Sequence, residues 1–214
     1  MTTAAEVYSL GLRGDRVWLE GTRPRELPVA EWTRDRLDGD QTLLERCIGP
    51  TLDVGCGPGR LAAALLAGRI LALGIDVNTD AVAQARARGA AVLQRDVFCP
   101  LPREGAWRHV LLADGNIGIG GDPIRLLVRC RELLAPSGTV LLDLQGTGAH
   151  VRTHRLRLRA EGVASDWFHW SSLPTGALPA IAAACGLSVV GVWRSAGRWQ
   201  AELGVSGEWQ AGSR

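Results

Sequence analysis

A chain of 214 residues with 46% hydrophobic and 21% charged side chains is too apolar for a disordered protein and long enough to bury a core. Its formal net charge of +2 gives no global field that would mark a nucleic-acid binder, although all 24 basic residues are arginine. Without a lysine, Schiff-base and P-loop lysine chemistry are excluded. The five cysteines, Cys47, Cys56, Cys99, Cys130 and Cys185, are odd in number and never spaced as Cys-x-x-Cys, which argues against a disulfide framework and a structural zinc site. No basic-then-apolar leader opens the sequence, and no apolar run reaches the ~20 residues that span a bilayer. A cytoplasmic protein without membrane segments is expected.

Residues 1–48 read as a cap or lid. Arg16–Glu20 and Glu26–Val29 are expected to pair as a hairpin around Gly21–Pro24, followed by a short helix over Gln41–Cys47. Thr51–Val54 is a buried strand, Gly55–Gly59 a glycine loop and Arg60–Ala67 a helix rich in alanine and leucine. The second strand, Ile70–Ile75, ends at Asp76, and Asn78 is placed to cap a helix through Arg88 that stops at Gly89. Ala91–Gln94 and Trp107–Ala113 are the third and fourth strands, ending near Asp96 and Asp114. Asp122-Pro123 opens a helix through Leu134, and Pro136-Ser137-Gly138 turns into the fifth strand, Thr139–Leu144.

Val151–Arg159 then alternates strictly, with Arg155, Arg157 and Arg159 opposite Leu156 and Leu158, as a half-exposed strand does. Pro179–Cys185 reads as a helix, and Leu187–Trp193 with Trp199–Val205 as a hairpin around Ser195-Ala196-Gly197. Strands alternating with helices make a doubly wound sheet whose ligands bind at the C-terminal strand ends. A single α/β domain over 1–214 is expected, with a cap (1–48), a cofactor-binding core (49–145), a β insertion on the substrate side (146–173) and a C-terminal helix and hairpin (174–206).

The informative stretch is Leu52-Asp53-Val54-Gly55-Cys56-Gly57-Pro58-Gly59-Arg60. Glycines let the backbone turn sharply and approach a ligand where a Cβ would collide. Free amides at the following helix start favour a negative or polar group. An ionised Asp53 accepts hydrogen bonds only and suits a ligand ammonium, directly or through water. The spacing is Gly-x-Gly-x-Gly, with Arg60 where a dinucleotide fingerprint has its third glycine. It resembles motif I of the class I S-adenosylmethionine-dependent methyltransferases.

That resemblance covers roughly residues 50–145. It implies a Rossmann-like seven-stranded sheet, mostly parallel with the last strand antiparallel, flanked by helices. It also implies S-adenosylmethionine as cofactor and S-adenosylhomocysteine as product, held by Asp53, Gly55, Cys56, Gly57 and Gly59. Asp76, with Val77 beside it, would take the ribose hydroxyls. Asp96 and Val97 match the position at which the family holds adenine. Asp114-Gly115-Asn116 occupies the motif IV position beside the reactive methyl, and the slender Ile117–Gly121 run after it admits close approach to the backbone.

What is missing narrows the reaction. The Pro-Pro-aromatic run of enzymes that methylate DNA bases is absent after Asp114, so no DNA partner is expected. The second acidic pair of metal-dependent catechol-type enzymes is replaced by Asp143-Leu144-Gln145, so no metal is expected. Transfer to oxygen, nitrogen or carbon of a small-molecule acceptor, by positioning and in-line displacement, is the reading that remains. RNA or protein acceptors, a nicotinamide oxidoreductase and a non-catalytic binder of the cofactor are the alternatives.

Asp114, His169 and Tyr8 are the candidate catalytic groups, with His169 favoured over His150 and His154, and His109 expected to be structural. Trp167, Phe168 and Trp170 are either an acceptor pocket or strand packing. The Arg155/Arg157/Arg159 stripe is either a solvated face or an anion-binding one.

Overall fold

The computed structural model describes residues 2–21 and 23–206. Its larger sheet has seven strands in the order β11-β12-β7-β6-β3-β4-β5. These are β3 (Thr51–Val54), β4 (Ala72–Asp76), β5 (Val92–Gln94), β6 (Trp107–Leu112), β7 (Leu134–Leu144), β11 (Leu187–Ser195) and β12 (Arg198–Val205). Neighbours from β5 to β7 run parallel, and β12, the last strand in sequence, slots antiparallel between β7 and β11. The expected sheet is therefore present, with its antiparallel strand inside the edge.

Strands β3 and β6, and β7 over Val140–Leu144, are largely buried on both faces, which is why they read as continuous apolar runs. The expected turn Pro136–Gly138 lies inside β7, where the register jumps between Trp107↔Leu134 and His109↔Thr139. His109 is buried between the Thr139 hydroxyl, 2.9 Å from Nδ1, and the Ile48 amide, which donates to Nε2 at 3.2 Å. Burial pushes its pKa down to about 4, so the ring is a neutral part of the core.

Helices α4 (Arg60–Ala67), α5 (Thr79–Ala87), α6 (Pro123–Leu133) and α7 (Leu178–Ala184) flank this sheet. Asp122 caps α6 by accepting from the Ile124 and Arg125 amides, with Pro123 in the first turn. Asn78 caps α5 by accepting from the Ala81 amide at 2.8 Å.

The remaining strands form a second, antiparallel sheet, ordered β10-β8-β1-β2 with β9 also on β8. It joins β1 (Trp18–Glu20) and β2 (Arg25–Glu26) to β8 (Arg152–Ala160), β9 (Val163–Ala164) and β10 (Phe168–Ser172). The expected N-terminal hairpin exists, its turn including Thr22, outside the described residues. Val29 begins a short helix, α2 (Val29–Trp32), and does not extend the hairpin. The expected helix before β3 is α3 (Asp40–Leu44).

The cap and the insertion are thus one structure, because β1 pairs with β8 through Trp18↔Arg159, Leu19↔Leu158 and Glu20↔Arg157. Its inner apolar residues Val7, Val17, Leu158 and Ala160 pack together with Leu19, Leu27 and Phe168. Besides α2, a further helix in the cap was not expected. This is α1 (Ala4–Leu12), opened by a capping box in which Thr3 and Glu6 bond each other's amides at 3.2 and 2.6 Å. Among the described residues no helix is long and apolar enough to cross a membrane.

Candidate active site

A cavity of about 1330 Å³ opens where the C-terminal ends of β3, β4, β5 and β6 face the second sheet and α1. It exceeds the ~300–1,000 Å³ common for a single small ligand and leaves room for two. A smaller depression of about 560 Å³ between α3 and α4 contains Arg60 but none of the expected cofactor or catalytic residues.

The floor is the glycine loop. Gly55, Gly57 and Gly59 all have positive φ, at 68°, 53° and 80°, which only glycine adopts without strain. The Gly55 and Cys56 amides donate to the Ile75 carbonyl at 2.9 and 3.0 Å, folding the loop back onto β4. Gly55, Cys56 and Gly57 line the cavity, whereas Gly59 does not. A Cβ on Gly59 would stand 2.6 Å from the Ala85 Cβ, so this glycine lets α4 and α5 approach each other.

Asp76 receives the Gly57 amide at 2.9 Å and the Asn78 amide at 2.8 Å on different oxygens, and it faces the cavity with Val77. Each oxygen keeps acceptor capacity for a ribose hydroxyl. Burial raises its pKa, and the backbone bonds oppose that shift. Asp96 and Val97 also line the cavity, with Asp96 exposed and Val97 buried.

Asp53 is 2% exposed at the end of β3. Burial raises its pKa to about 7, and nearby Arg60 works against the rise. The cradle of glycines and these three carboxylates suit S-adenosylmethionine, whose ribose, adenine amine and ammonium are donors. A cation settling beside Asp53 favours its ionised form. Cofactor binding below pH 7 should therefore release a proton, and affinity should rise as pH approaches 7. Calorimetry in buffers of different ionisation enthalpy measures that proton; an Asp53→Asn variant releasing as much would remove Asp53 as its source.

Asp114 lines the cavity, held by a charge network. Its backbone has φ 53°, its amide donates to Asp143 Oδ2 at 2.6 Å, and its carboxylate is gripped by Arg60 and by Arg198 Nη2, the latter at 3.0 Å. Burial raises its pKa and the two guanidiniums lower it. Arg60 also pairs with Asp40, and Arg198 with Asp40 and Asp143. This network ties α3, α4, β6, β7 and β12 together under the glycine loop, and Arg60, Arg198 and Asp40 were not among the residues expected at the site.

Gly115 does not line the cavity; a Cβ there would meet Gln145 Nε2 at 2.5 Å. Asn116 does line it, and its Nδ2 donates to the Val54 and Gly55 carbonyls, both at 2.9 Å. Among the described residues no group of three or more His, Cys, Asp or Glu is arranged to hold a metal ion.

Tyr8 comes in from above on α1, which Asn78 holds by donating from Nδ2 to the Ala5 carbonyl at 2.6 Å and to Ser9 at 2.9 Å. Its ring packs edge-on against Trp32, and its hydroxyl sits 3.6 Å from where a Gly57 Cβ would be. Burial pushes the Tyr8 pKa well above its ordinary value, reinforced by Asp76, so the hydroxyl keeps its proton.

On β10, Phe168 and Trp170 share the cavity face with Leu156 and His154, their register partners. His154 Nε2 lies 2.9 Å from the Ser172 hydroxyl. His169 also lines the cavity, but it is exposed and paired with Arg155 on the alternate face of the strand. Trp167 lies outside, with Arg155 and Arg157 over its ring at 5.2 and 4.9 Å.

A family model described as a methyltransferase domain matches residues 51–138, from β3 through the glycine loop into β7. The chain carries a methyltransferase domain over this stretch, with the glycine loop expected of the class I S-adenosylmethionine-dependent enzymes. It is an enzyme that takes its methyl group from S-adenosylmethionine and leaves S-adenosylhomocysteine. No curated protein matches this methyltransferase in sequence.

Solved structures share its fold. A methyltransferase from Bacteroides fragilis in complex with S-adenosylhomocysteine is 22% identical with a TM-score of 0.77, over 95% of this chain and 93% of that one. A Burkholderia thailandensis 1,6-didemethyltoxoflavin N1-methyltransferase, with its substrate and S-adenosylhomocysteine bound, is 16% identical at TM-score 0.57 over 74% and 71%. An amino pentose methyltransferase from Micromonospora echinaspora, bound to S-adenosylmethionine, is 16% identical at TM-score 0.61 over 84% and 96%.

Proposed function

We propose that the methyl acceptor is a small molecule enclosed between the second sheet and the glycine loop, methylated by positioning and without a metal ion. The observation that carries this reading is the size and make-up of the cavity. Beyond the carboxylates that suit the cofactor, its walls set the apolar side chains Leu19, Leu27, Leu156, Leu158, Phe168 and Trp170 among the polar Arg25, Arg152 and His154. An enclosed chamber in which apolar walls carry placed polar groups is the usual form of a small-molecule site. A bulky polymer would need an open face where the lid stands.

Asp53, Gly55, Cys56, Gly57, Asp76, Val77, Asp96 and Val97 hold the cofactor, with Gly59 and Gly115 shaping the loops behind them. The new bond forms from an acceptor lone pair to the methyl carbon as the carbon–sulfur bond breaks, and the acceptor's proton leaves to a base or to water. Holding the acceptor in line with that bond supplies up to ~7–11 kcal/mol of the barrier reduction. Tyr8, with its proton held, is a hydrogen-bond donor to cofactor or acceptor. Asp114, gripped by two arginines, positions the loop after β6. His154, on the cavity face, is better placed than His169 to accept a proton, its pairing with Ser172 fixing the ring.

Incubating the enzyme and S-adenosylmethionine with a cell extract split by ultrafiltration tests this reading. S-adenosylhomocysteine should form with the small-molecule filtrate. Formation only with the retained RNA and protein would sink it.

A further inference from the structure

The second sheet carries arginine on both faces, and the two faces differ in what surrounds the charge. On the outer face Arg157 Nε and Arg159 Nη1 bond Glu20 at 2.7 and 3.1 Å, Arg16 pairs with Glu26 at 2.8 Å, and Arg155 covers Trp167. On the cavity face Arg25 stands opposite Leu19, which stands opposite Leu158, and Arg152 stands opposite Ser172. Arg23 lies in the turn between β1 and β2.

Arg23, Arg25 and Arg152 are exposed and line the cavity, and none has an ion-pair or side-chain hydrogen-bond partner among the described residues. No aspartate or glutamate from α1, α2 or the second sheet lines the cavity. Its four acidic residues, Asp53, Asp76, Asp96 and Asp114, all come from the larger sheet's strand ends. Glutamates are available on this lid and are spent outside, leaving the inner guanidiniums in surplus.

We propose, resting on the small-molecule reading above, that the acceptor is an anion: a carboxylate or phosphate ester on an apolar or aromatic body. Its anionic group pairs with Arg25, Arg152 and Arg23, and its body lies against Leu156, Phe168 and Trp170. Guanidinium geometry matches both anions through paired hydrogen bonds.

The test titrates the full chain, saturated with S-adenosylhomocysteine, by calorimetry. The probes are 4-hydroxyphenylacetate, its neutral amide 4-hydroxyphenylacetamide, phenyl phosphate and a short single-stranded RNA. At least one of the two acids should bind about tenfold more tightly than the amide, as expected for a charge-assisted hydrogen bond. Whichever acid binds more tightly identifies the anion. The double variant Arg25→Ala/Arg152→Ala, and separately Arg152→Gln, should bring the acids to the level of the amide and leave S-adenosylhomocysteine affinity unchanged. Equal binding of acid and amide, or no binding by either acid, overturns the proposal. So does an equal loss of S-adenosylhomocysteine affinity in the variants, which would give the arginines to the cofactor. RNA binding that exceeds both acids and disappears in the same variants would overturn the small-molecule reading as well.

Discussion

Replacing Asp76 with alanine should abolish measurable cofactor binding while the chain stays folded. The carboxylate stands at the C-terminal end of β4, its two oxygens holding the Gly57 and Asn78 amides and facing the cavity. On the proposed assignment its removal takes away the acceptor for both ribose hydroxyls, and it also removes the anchor that sets Gly57 in its left-handed conformation. Two hydrogen bonds to a charged group are worth about 3–6 kcal/mol together, so the dissociation constant should rise roughly 100- to 10,000-fold.

Stability should change much less. Burial raises the Asp76 pKa, so ionising it in the folded chain is unfavourable, and losing that charge offsets part of the two lost hydrogen bonds. An Asp76→Asn variant, which keeps an acceptor oxygen for one amide, should fall between the two. Thermal unfolding with S-adenosylhomocysteine, beside circular dichroism of the free variant, separates loss of binding from loss of fold. An Asp76→Ala midpoint that rises with the ligand as far as the parent's would remove Asp76 from the ribose site.

An Arg60→Ala variant should lose about 3–5 kcal/mol of stability, lowering the unfolding midpoint by roughly 6–20 °C. Arg60 is 4% exposed and is paired with Asp40, itself 1% exposed, and with Asp114. Removing it leaves buried carboxylates short of a cation, the costly way to break such a pair. The exposed Arg13–Asp80 pair, at 2.8 Å, is the contrast; Arg13→Ala should cost no more than ~1 kcal/mol.

The loss should also depend on pH. Arg60 lowers the pKa values of Asp53 and Asp114, so its stabilisation is present where those carboxylates are ionised and fades as falling pH protonates them. For Asp53 the sign is independent of the mutation. Its pKa is raised from 3.8 to about 7, so the folded chain binds the extra proton, and the free enzyme loses stability as pH climbs between those values. Denaturant titrations of parent and variant at pH 5 and pH 8 should show the larger gap at pH 8. An equal gap at both would mean that Arg60 acts through packing alone.

The parallel core and the glycine loop were readable from the sequence because their signals are local. A strand, its terminal carboxylate and the next helix cap lie within a few residues of one another, as in Asp76 with Asn78 and Asp122 with Pro123. Gly55–Gly59 needs positive φ, and only glycine supplies it cheaply, so the loop is written in residue type. The signal for α1 is equally local, since Thr3-Ala4-Ala5-Glu6 is a capping box.

The cavity under the lid depended on pairings that no local pattern contains. The lid becomes one sheet through Leu19↔Leu158, and the charge network closes between Asp40 and Arg198, each across well over a hundred residues. Alternation along Val151–Arg159 distinguishes two faces but not which is covered, so the stripe of Arg155, Arg157 and Arg159 stood out while Arg152 and Arg25 did not. Glu20 and Trp167 meet that stripe from other strands and turn it into the outer surface. The same alternation divides Trp167 from Phe168 and Trp170, and His154 from His169. Sequence alone determined the fold and the cofactor; which charges face the cavity was decided only when the two sheets closed on it, because burial and pairing are properties of the assembled surfaces.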